Sequence, residues 1–218
     1  MNRQSINAHY KNFIRKSFAD LRKKEINKDK FTIISNNCWG GMIYESYNLI
    51  KQSPTVGLYI LPSDYLKFVQ NLKAYLSKKL EFIPPIESKN VNYIINEIGD
   101  SNVINHPIGM LGDIELYFVH YSSCTEAYQK WNRRISRIQW DKILFKFNDQ
   151  NGCTDSQIKT FSSLNLKHKV CFTVRDGFTN YKDVVKINNP FKENFVDVFN
   201  EPFGKNRFFD VNKAINSL

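Results

Sequence analysis

The sequence predicts an α/β protein with a mostly parallel open sheet and helices on both faces, a Rossmann-like arrangement, preceded by an N-terminal basic amphipathic helix. Three observations predict it. Short, apolar, β-branched runs alternate with helical segments of about 10–15 residues. Several of the runs end in a polar or glycine-bearing turn. The chain has 218 residues with 42% apolar content, which suffice for one sizeable core. Strands that alternate with helices form right-handed β-α-β units, which place the strands in parallel.

The first 30 residues carry a net charge of +6 out of +10 for the whole chain. Their apolar side chains recur at helical spacing, with lysine and arginine on the other face: Tyr10, Phe13, Ile14, Phe18 and Leu21. One interpretation is a helix that rests on an anionic membrane surface or docks on a partner. The other is a helix packed on its own domain with a solvated basic face.

The remaining elements follow in order from apolar pattern and capping signals. Strands are predicted at 31–35, 55–61, 91–95, 114–121, 143–147 and 169–174. Helices are predicted at 41–51, from Pro62 to Leu76, after Ser123, at 154–164 and at 211–218. Ser123 is followed three residues later by Glu126, a capping-box signature. The organisation expected is a basic helix at 1–30, an α/β catalytic domain at 31–190 and a C-terminal extension at 191–218 packed on that domain.

Several classes of protein are disfavoured by what the sequence lacks. No segment approaches the roughly 18 apolar residues of a membrane span, and no signal-peptide core is present. We therefore expect a cytoplasmic protein, with peripheral contact at the inner membrane. The four cysteines form no CxxC pair or zinc spacing, so free thiols and no metal are expected. Dinucleotide, P-loop, serine-hydrolase, metalloprotease and DxD signatures are absent, and no nucleic-acid surface is indicated.

Polar residues follow three of the predicted strands. They lie at Ser35–Gly41, His120–Ser123 and Asn148–Thr154. Because the carboxyl ends of parallel strands lie at one edge of a sheet, we expect these three sets to converge there.

Cys38 is the candidate nucleophile within this edge. It precedes a predicted helix, whose dipole favours the thiolate and lowers the thiol pKa. The amides of Gly40 and Gly41 are candidate donors to an oxyanion, and His120 is the candidate base. A Cys–His pair can perform acyl transfer through a thioester. The alternatives are a small packed thiol and a histidine that hydrogen-bonds within the core.

Asp149 is the preferred carboxylate partner, since it also follows a strand. Asp113 lies seven residues before His120, at the opposite end of the predicted strand, which makes it a poor orienting partner. It is kept as a candidate substrate-binding residue.

Amide and guanidinium side chains are the remaining candidates for substrate binding. Asn36 and Asn37 either shape the turn and cap the helix or bind sugar hydroxyls, and Trp39 follows in the same turn. Three arginines after the 114–121 strand either form a solvated face or bind phosphates of a nucleotide, CoA or polymer: Arg133, Arg134 and Arg137.

Four blocks of this sequence resemble an uncharacterised bacterial domain family. They are SNNCWGG (35–41), SPTVGLYI (53–60), HPIGMLGDIELYFVHY (106–121) and EAYQKWNRRISRI (126–138). Members of that family are commonly labelled exopolysaccharide or capsule biosynthesis proteins, sometimes acetyltransferases. The resemblance covers about residues 31–175. It implies an α/β fold and a role connected with polysaccharide, and it assigns no catalytic residue.

Together these inferences predict an O-acetyltransferase that moves an acetyl group from acetyl-CoA to a sugar hydroxyl of a surface polysaccharide. Cys38 accepts the acetyl group or polarises it, and His120 moves protons. In a direct variant, His120 deprotonates the sugar hydroxyl and no acyl-enzyme forms. The alternatives are a glycosyl- or sugar-phosphate transferase and a non-catalytic adaptor. In the O-acetyltransferase hypothesis, residues 1–30 contact the inner membrane or the capsule assembly complex.

Overall fold

A computed structural model describes residues 3–98, 106–188 and 194–218 of the chain. The helices are α1 (Arg3–Ser17), α2 (Ala19–Lys23), α3 (Trp39–Ser46), α4 (Pro62–Gln70), α5 (Leu72–Leu76), α6 (Val91–Ile98), α7 (Cys124–Ile135), α8 (Asp155–Ser163) and α9 (Val211–Asn216). The strands are β1 (Thr32–Ser35), β2 (Glu81–Ile83), β3 (Ile108–Leu111), β4 (Ile114–Tyr117), β5 (Ile143–Asn148), β6 (Lys169–Thr173) and β7 (Val184–Lys186). Single turns of 3-10 helix lie at Pro85–Glu87 and Val198–Asn200.

A four-stranded sheet with the order β1-β5-β6-β7 forms the centre of the fold, and all of its pairings are parallel. Alternate residues of each strand enter opposite cores, as the strand period of two requires. Ile33 and Leu144 pack with α3 and α9 on one face, whereas Ile34 and Phe145 pack with α4, α7 and α8 on the other. The predicted class, a mostly parallel α/β sheet with helices on both faces, is confirmed.

The segment 55–61 is buried as predicted, but it is not a regular strand. Gly57 adopts a positive φ of 80°, which breaks the extended run. The Thr55 hydroxyl accepts the Ser35 N–H (3.2 Å) at the edge of β1 that faces away from β5. Ile60 donates to the Asn36 carbonyl (2.9 Å), and Tyr59 forms an isolated bridge with Tyr117. The segment therefore occupies the position of an additional edge strand beside β1.

The prediction for residues 91–121 is partly wrong. β4 does not join the parallel sheet; it pairs antiparallel with β3 in a separate sheet of order β2-β3-β4. The cause is the tight turn at Gly112, whose φ of 69° folds one strand directly back on the other. Residues 91–95 form the start of helix α6 instead of a strand. The spacing of Val91, Ile95 and Ile98 is helical, and their β-branched character favoured the wrong interpretation.

Two predicted helix starts are confirmed in atomic detail. The Ser123 side chain accepts the backbone N–H of Glu126 (3.2 Å) at the start of α7. Thr154 and Gln157 form a reciprocal capping box at the start of α8. These caps fix the first residues of α7 and α8, which follow shortly after His120 and Asn148 in the chain.

The N-terminal segment is helical as predicted, but of its five predicted apolar side chains only Ile14 is half-buried, and the other four are exposed. Tyr10, Phe13, Phe18 and Leu21 are 63%, 69%, 50% and 58% exposed. Polar side chains make contacts with the rest of the chain. The buried guanidinium of Arg22 donates to the carbonyl of residue 46 and, within the segment, to the carbonyls of residues 14 and 15 (both 2.7 Å). Lys11 donates to the side chain of Asn200 (2.6 Å). In the described part of the chain, no helix is long and apolar enough to cross a membrane.

Candidate functional site

The turn after β1 joins the central sheet to helix α3. Asn36 still donates its N–H to the Lys146 carbonyl of β5 (3.3 Å), as a strand residue would. The Asn37 side chain then accepts the N–H of Trp39, the first residue of α3 (3.1 Å). This contact, between a side chain and the N–H two residues later, shapes the turn before α3, which is one of the roles predicted for Asn37. The helix itself has no side-chain capping bond at its N-cap. Cys38 sits at the N-cap, with its side chain half-buried.

Cys38 and His120 line the same pocket, which has a volume of about 260 Å³. One face of α3 contributes Cys38, Gly41 and Glu45, spaced three and four residues apart as neighbours on a helix are. The full lining is Cys38, Gly41, Met42, Glu45, Lys51, Val56, Gly57, His120, Tyr121, Lys130 and Arg134. The structure thus brings together the thiol and the imidazole that the sequence singled out.

His120 reaches this pocket by a route that the sequence analysis did not foresee. It follows β4, which lies outside the parallel sheet, so a shared sheet edge is not the reason for the convergence. Its N–H donates to the Gly57 carbonyl (3.2 Å), and the neighbouring Tyr121 hydroxyl donates to the Val56 carbonyl. A Cβ on Gly57 would lie 3.0 Å from the Tyr121 ring. Close packing against Gly57 therefore positions the His120 turn.

The pocket wall opposite α3 is basic. Arg134 is buried, and it donates to the Val56 carbonyl (2.9 Å) and to the Tyr121 hydroxyl. Lys130 lies 5.4 Å from the centre of the Tyr121 ring. Lys51, also in the lining, pairs with Glu45 at 2.7 Å. Lys130 is also paired with Glu126, which lies outside the lining. With that glutamate counted, three cations face two carboxylates, so a net positive charge remains and the field of the pocket favours an anionic ligand.

The protonation tendencies of the thiol and the imidazole differ from the prediction. Burial, followed by the negative charge of Glu201, raises the pKa of the Cys38 thiol to about 12. These effects outweigh the helix dipole, so the expected lowering of the thiol pKa is wrong. Partial burial, followed by the positive charge of His106, lowers the pKa of His120. Near neutral pH, His120 is therefore ready to accept a proton, whereas Cys38 is a neutral thiol.

The two candidate aspartates lie outside the pocket. Asp149 is buried and accepts three hydrogen bonds, from the Thr173 hydroxyl (2.7 Å) and from the N–H groups of Val174 (2.8 Å) and Val196 (2.7 Å). Its carboxylate joins the ends of β5 and β6 to the C-terminal segment. Asp113 lies in the turn between β3 and β4, where it accepts from Lys67 and Tyr75 (both 2.7 Å). Neither aspartate is placed to orient His120.

The other predicted substrate-binding residues divide between the pocket and its surroundings. Of the three arginines, Arg134 lines the pocket, Arg137 donates to the Lys51 carbonyl (3.5 Å) and Arg133 is exposed elsewhere on α7. Gly41 lines the pocket, whereas Gly40 packs closely against Ile33, and a Cβ there would lie 3.1 Å from its side chain.

Trp39 lies outside the pocket lining and faces the C-terminal segment. It is buried, and its indole N–H donates to the Pro202 carbonyl (2.8 Å). Asn36 and Asn37 are also buried and take part in a polar network with β5.

The centre of this network is a fully buried ion pair between Lys146 and Glu201 (2.5 Å), which was not predicted from the sequence. The sequence does indicate that Lys146 is unusual, since it is a lysine inside the apolar strand ILFKFN. A lysine is almost never fully buried unless it is paired. Nothing in the sequence indicates that Glu201 is its partner, because Glu201 lies in an irregular segment far along the chain.

Within the described residues, no group of three or more His, Cys, Asp or Glu side chains is placed to hold a metal ion.

Comparison with known proteins gives two matches. A family model described as "Domain of unknown function (DUF1919)" matches residues 9–213. An uncharacterized protein of Haemophilus influenzae is 32% identical over 198 residues, which cover 90% of this chain and 85% of that protein.

Proposed function

The chain belongs to the DUF1919 family of uncharacterised domains, and we propose that it is an O-acetyltransferase of surface-polysaccharide assembly. In this proposal it transfers an acetyl group from acetyl-CoA to a sugar hydroxyl. The observation that carries the proposal is that a neutral imidazole, His120, shares one pocket with the cations Lys51, Lys130 and Arg134. That combination suits a phosphate-bearing donor and a proton that must be removed from a hydroxyl.

The direct mechanism agrees best with the protonation tendencies of the pocket. His120 takes the proton from the sugar hydroxyl as its oxygen attacks the thioester carbonyl. The new C–O bond forms, the C–S bond breaks, and CoA leaves as a thiolate that receives the proton from His120. The Gly41 amide, in the first turn of α3, lies where a helix N-terminus favours the developing oxyanion. Cys38 then contributes to the shape of the pocket and forms no covalent intermediate.

The route through an acyl-enzyme on Cys38 stays open as the alternative mechanism. It requires His120 to remove the thiol proton first, against a pKa raised to about 12. A thiol of that kind is a weak nucleophile at neutral pH. The raised pKa is the reason to prefer the direct route.

The basic wall also favours a second candidate, a sugar-phosphate or glycosyl transferase of the same pathway. Lys130 and Arg134 would bind the phosphates of a nucleotide sugar as readily as those of CoA. Donor identity separates the two candidates, since a ligand that binds the native state raises the melting temperature.

The test is a comparison of melting temperatures with acetyl-CoA, free CoA and a nucleotide sugar. We expect acetyl-CoA and CoA to raise the melting temperature of the wild type. The shift should be much smaller in Lys130→Met and unchanged in Arg133→Met, the matched control on the same helix. A shift produced by the nucleotide sugar alone would favour the second candidate. No shift with either donor would contradict both.

We also propose that the N-terminal helices hold the enzyme at the inner membrane surface. The exposed Tyr10, Phe13 and Leu21 carry apolar surface, and exposed lysines such as Lys16 and Lys23 flank them. An amphipathic helix with this composition binds anionic lipid through apolar burial and charge attraction. The acceptor would be a nascent polymer at that surface.

A further inference from the structure

The ends of β1 and β5 meet in a buried polar region that the pocket described above does not include, and we name this region the crevice. After β1 the chain enters α3 on one face of the sheet, and after β5 it enters α8 on the other. Residue Thr55 flanks β1 on its far edge, so the strand order reverses between β1 and β5. In open α/β sheets, ligands bind outside the carboxyl ends of the strands at such a reversal.

Polar side chains of both strand ends fill this crevice, and they form one connected network. Asn36 donates to Asn148 (2.9 Å), and Asn37 donates to Gln150 (2.9 Å). Lys146 donates to the Asn37 side-chain oxygen (2.8 Å). These side chains provide an ammonium group and several amides, which are donors suited to an anion beside hydroxyl groups.

The Glu201 carboxylate occupies the centre of the network. Besides the ion pair with Lys146, its Oε1 accepts from Asn148 (2.8 Å) and Asn37 (3.2 Å). Its other oxygen, Oε2, is buried without a hydrogen-bond partner among the described residues. An unpartnered buried carboxylate oxygen is costly, and a buried ion pair by itself often adds little stability over apolar side chains. Stability alone is therefore a poor reason for this arrangement.

Glu201 belongs to a segment that crosses the sheet edge from outside. We name residues 195–204 the strap. Besides the Glu201 pair, apolar packing of the fully buried Val196 and several hydrogen bonds hold it in place. Asn148 donates to the Val196 carbonyl (3.1 Å), and Val211 donates to the Gly204 carbonyl (3.0 Å). The Trp39 indole donates to the Pro202 carbonyl (2.8 Å), Val196 donates to Asp149 (2.7 Å) and Lys11 donates to Asn200 (2.6 Å).

We propose that the crevice is a binding site for an anionic sugar, a ligand with a carboxylate or phosphate group beside hydroxyls. Glu201 takes the place of the anionic group in the structure described here, and binding displaces it from Lys146. The Asn36, Asn37 and Asn148 amides then bind the hydroxyls. This inference stands on residues other than Lys51, Lys130 and Arg134, and it does not require acetyl-CoA to be the donor.

The experiment measures binding of glucuronic acid and glucose 6-phosphate to the full-length protein, with glucose and inorganic phosphate as comparison probes. Glu201→Gln keeps the shape of the side chain and removes its charge. The anionic group of the ligand then no longer competes with a carboxylate for Lys146. We expect both anionic sugars to bind this variant at least about tenfold more tightly than the wild type (about 1.4 kcal/mol at 25 °C). Lys146→Met should abolish binding. The matched control is Glu81→Gln, an exposed glutamate on β2.

Hydrogen exchange on the wild type supplies a readout that does not depend on the folding of a variant. A saturating anionic sugar should speed amide exchange in the strap, because Glu201 leaves the network, and should leave β5 protected. Binding by glucose as strong as that of the anionic sugars would overturn the proposal. So would a folded Glu201→Gln protein that binds no tighter than wild type, or unchanged strap exchange at saturating anionic sugar. A failure of acetyl-CoA to bind would count against the proposed function alone.

Discussion

At the scale of single residues, Gly57 has the most demanding position near the pocket. It has a positive φ of 80°, and a Cβ there would lie 3.0 Å from the Tyr121 ring. Gly57→Ala should lower the free energy of unfolding by about 1–3 kcal/mol, because backbone strain and crowding add. It should also weaken ligand binding, since Gly57 anchors His120. Urea denaturation measures the first effect.

Gly177 is the matched control for this prediction. Its φ is also positive, at 90°, but no atom lies within 4 Å of a Cβ built there. Gly177→Ala therefore carries the cost of the backbone conformation alone and should destabilise less. Equal losses in the two variants would show that packing against Tyr121 is not important.

His120 gives a prediction about pH. Partial burial and the positive charge of His106 lower the pKa of His120 below the usual histidine value of 6.5. The unprotonated imidazole therefore predominates at neutral pH. Transfer should rise with pH through the pKa of His120 and then level off, because only the unprotonated imidazole accepts the proton. His106→Gln removes a positive neighbour, so the pKa of His120 should rise and the profile should shift to higher pH. A shift to lower pH, or none, in kcat/KM would contradict the assignment.

At the scale of secondary-structure elements, the capping box of α8 is directly testable. Thr154→Ala removes the acceptor for the Gln157 N–H and should lower the free energy of unfolding by about 1 kcal/mol. Thr160→Ala is the control within the same helix, since its hydroxyl donates only to a helix carbonyl, that of Ser156. Thermal or urea unfolding compares them. A loss in Thr160→Ala as large as in Thr154→Ala would contradict the capping role.

The elements also show what can be inferred from sequence. β1, β5 and β6 were predictable because each is a buried apolar run that ends at a polar turn. The placement of β4 was not, since its pairing depends on the turn at Gly112 and on β3, where no strand was predicted. For the same reason Cys38 and His120 were predicted to converge, but through the wrong route.

The polar network marks a further limit of prediction. Lys146 was visible as a lysine in an apolar strand, yet its partner Glu201 lies 55 residues away in an irregular segment. Pairing across such a distance leaves no periodic pattern in the chain. The raised pKa of Cys38 was unpredictable for the same reason, since it depends on burial and on the charge of Glu201.

At the scale of the whole molecule, the exposed apolar side chains of α1 and α2 predict surface binding. Phe13→Ser with Leu21→Ser removes apolar side chains that are 69% and 58% exposed. Sedimentation with vesicles of anionic lipid should fall several-fold, because less apolar surface is buried in the interface. Ile86→Ser, which removes a side chain 80% exposed elsewhere, is the control and should change nothing. Equal sedimentation of all three proteins would contradict membrane docking.

The central claim is that His120, and not Cys38, performs the chemistry of acetyl transfer. The most direct measurement is the rate of acetyl transfer from acetyl-CoA to a capsule-type polysaccharide by the wild type, Cys38→Ser and His120→Gln. The same samples are then examined for a covalent acetyl group by mass spectrometry. We expect Cys38→Ser to keep most of the rate, His120→Gln to lose about 10²–10⁴-fold, and no acetyl group to be found on the enzyme. An acetyl group on Cys38, together with loss of transfer in Cys38→Ser, would contradict the central claim.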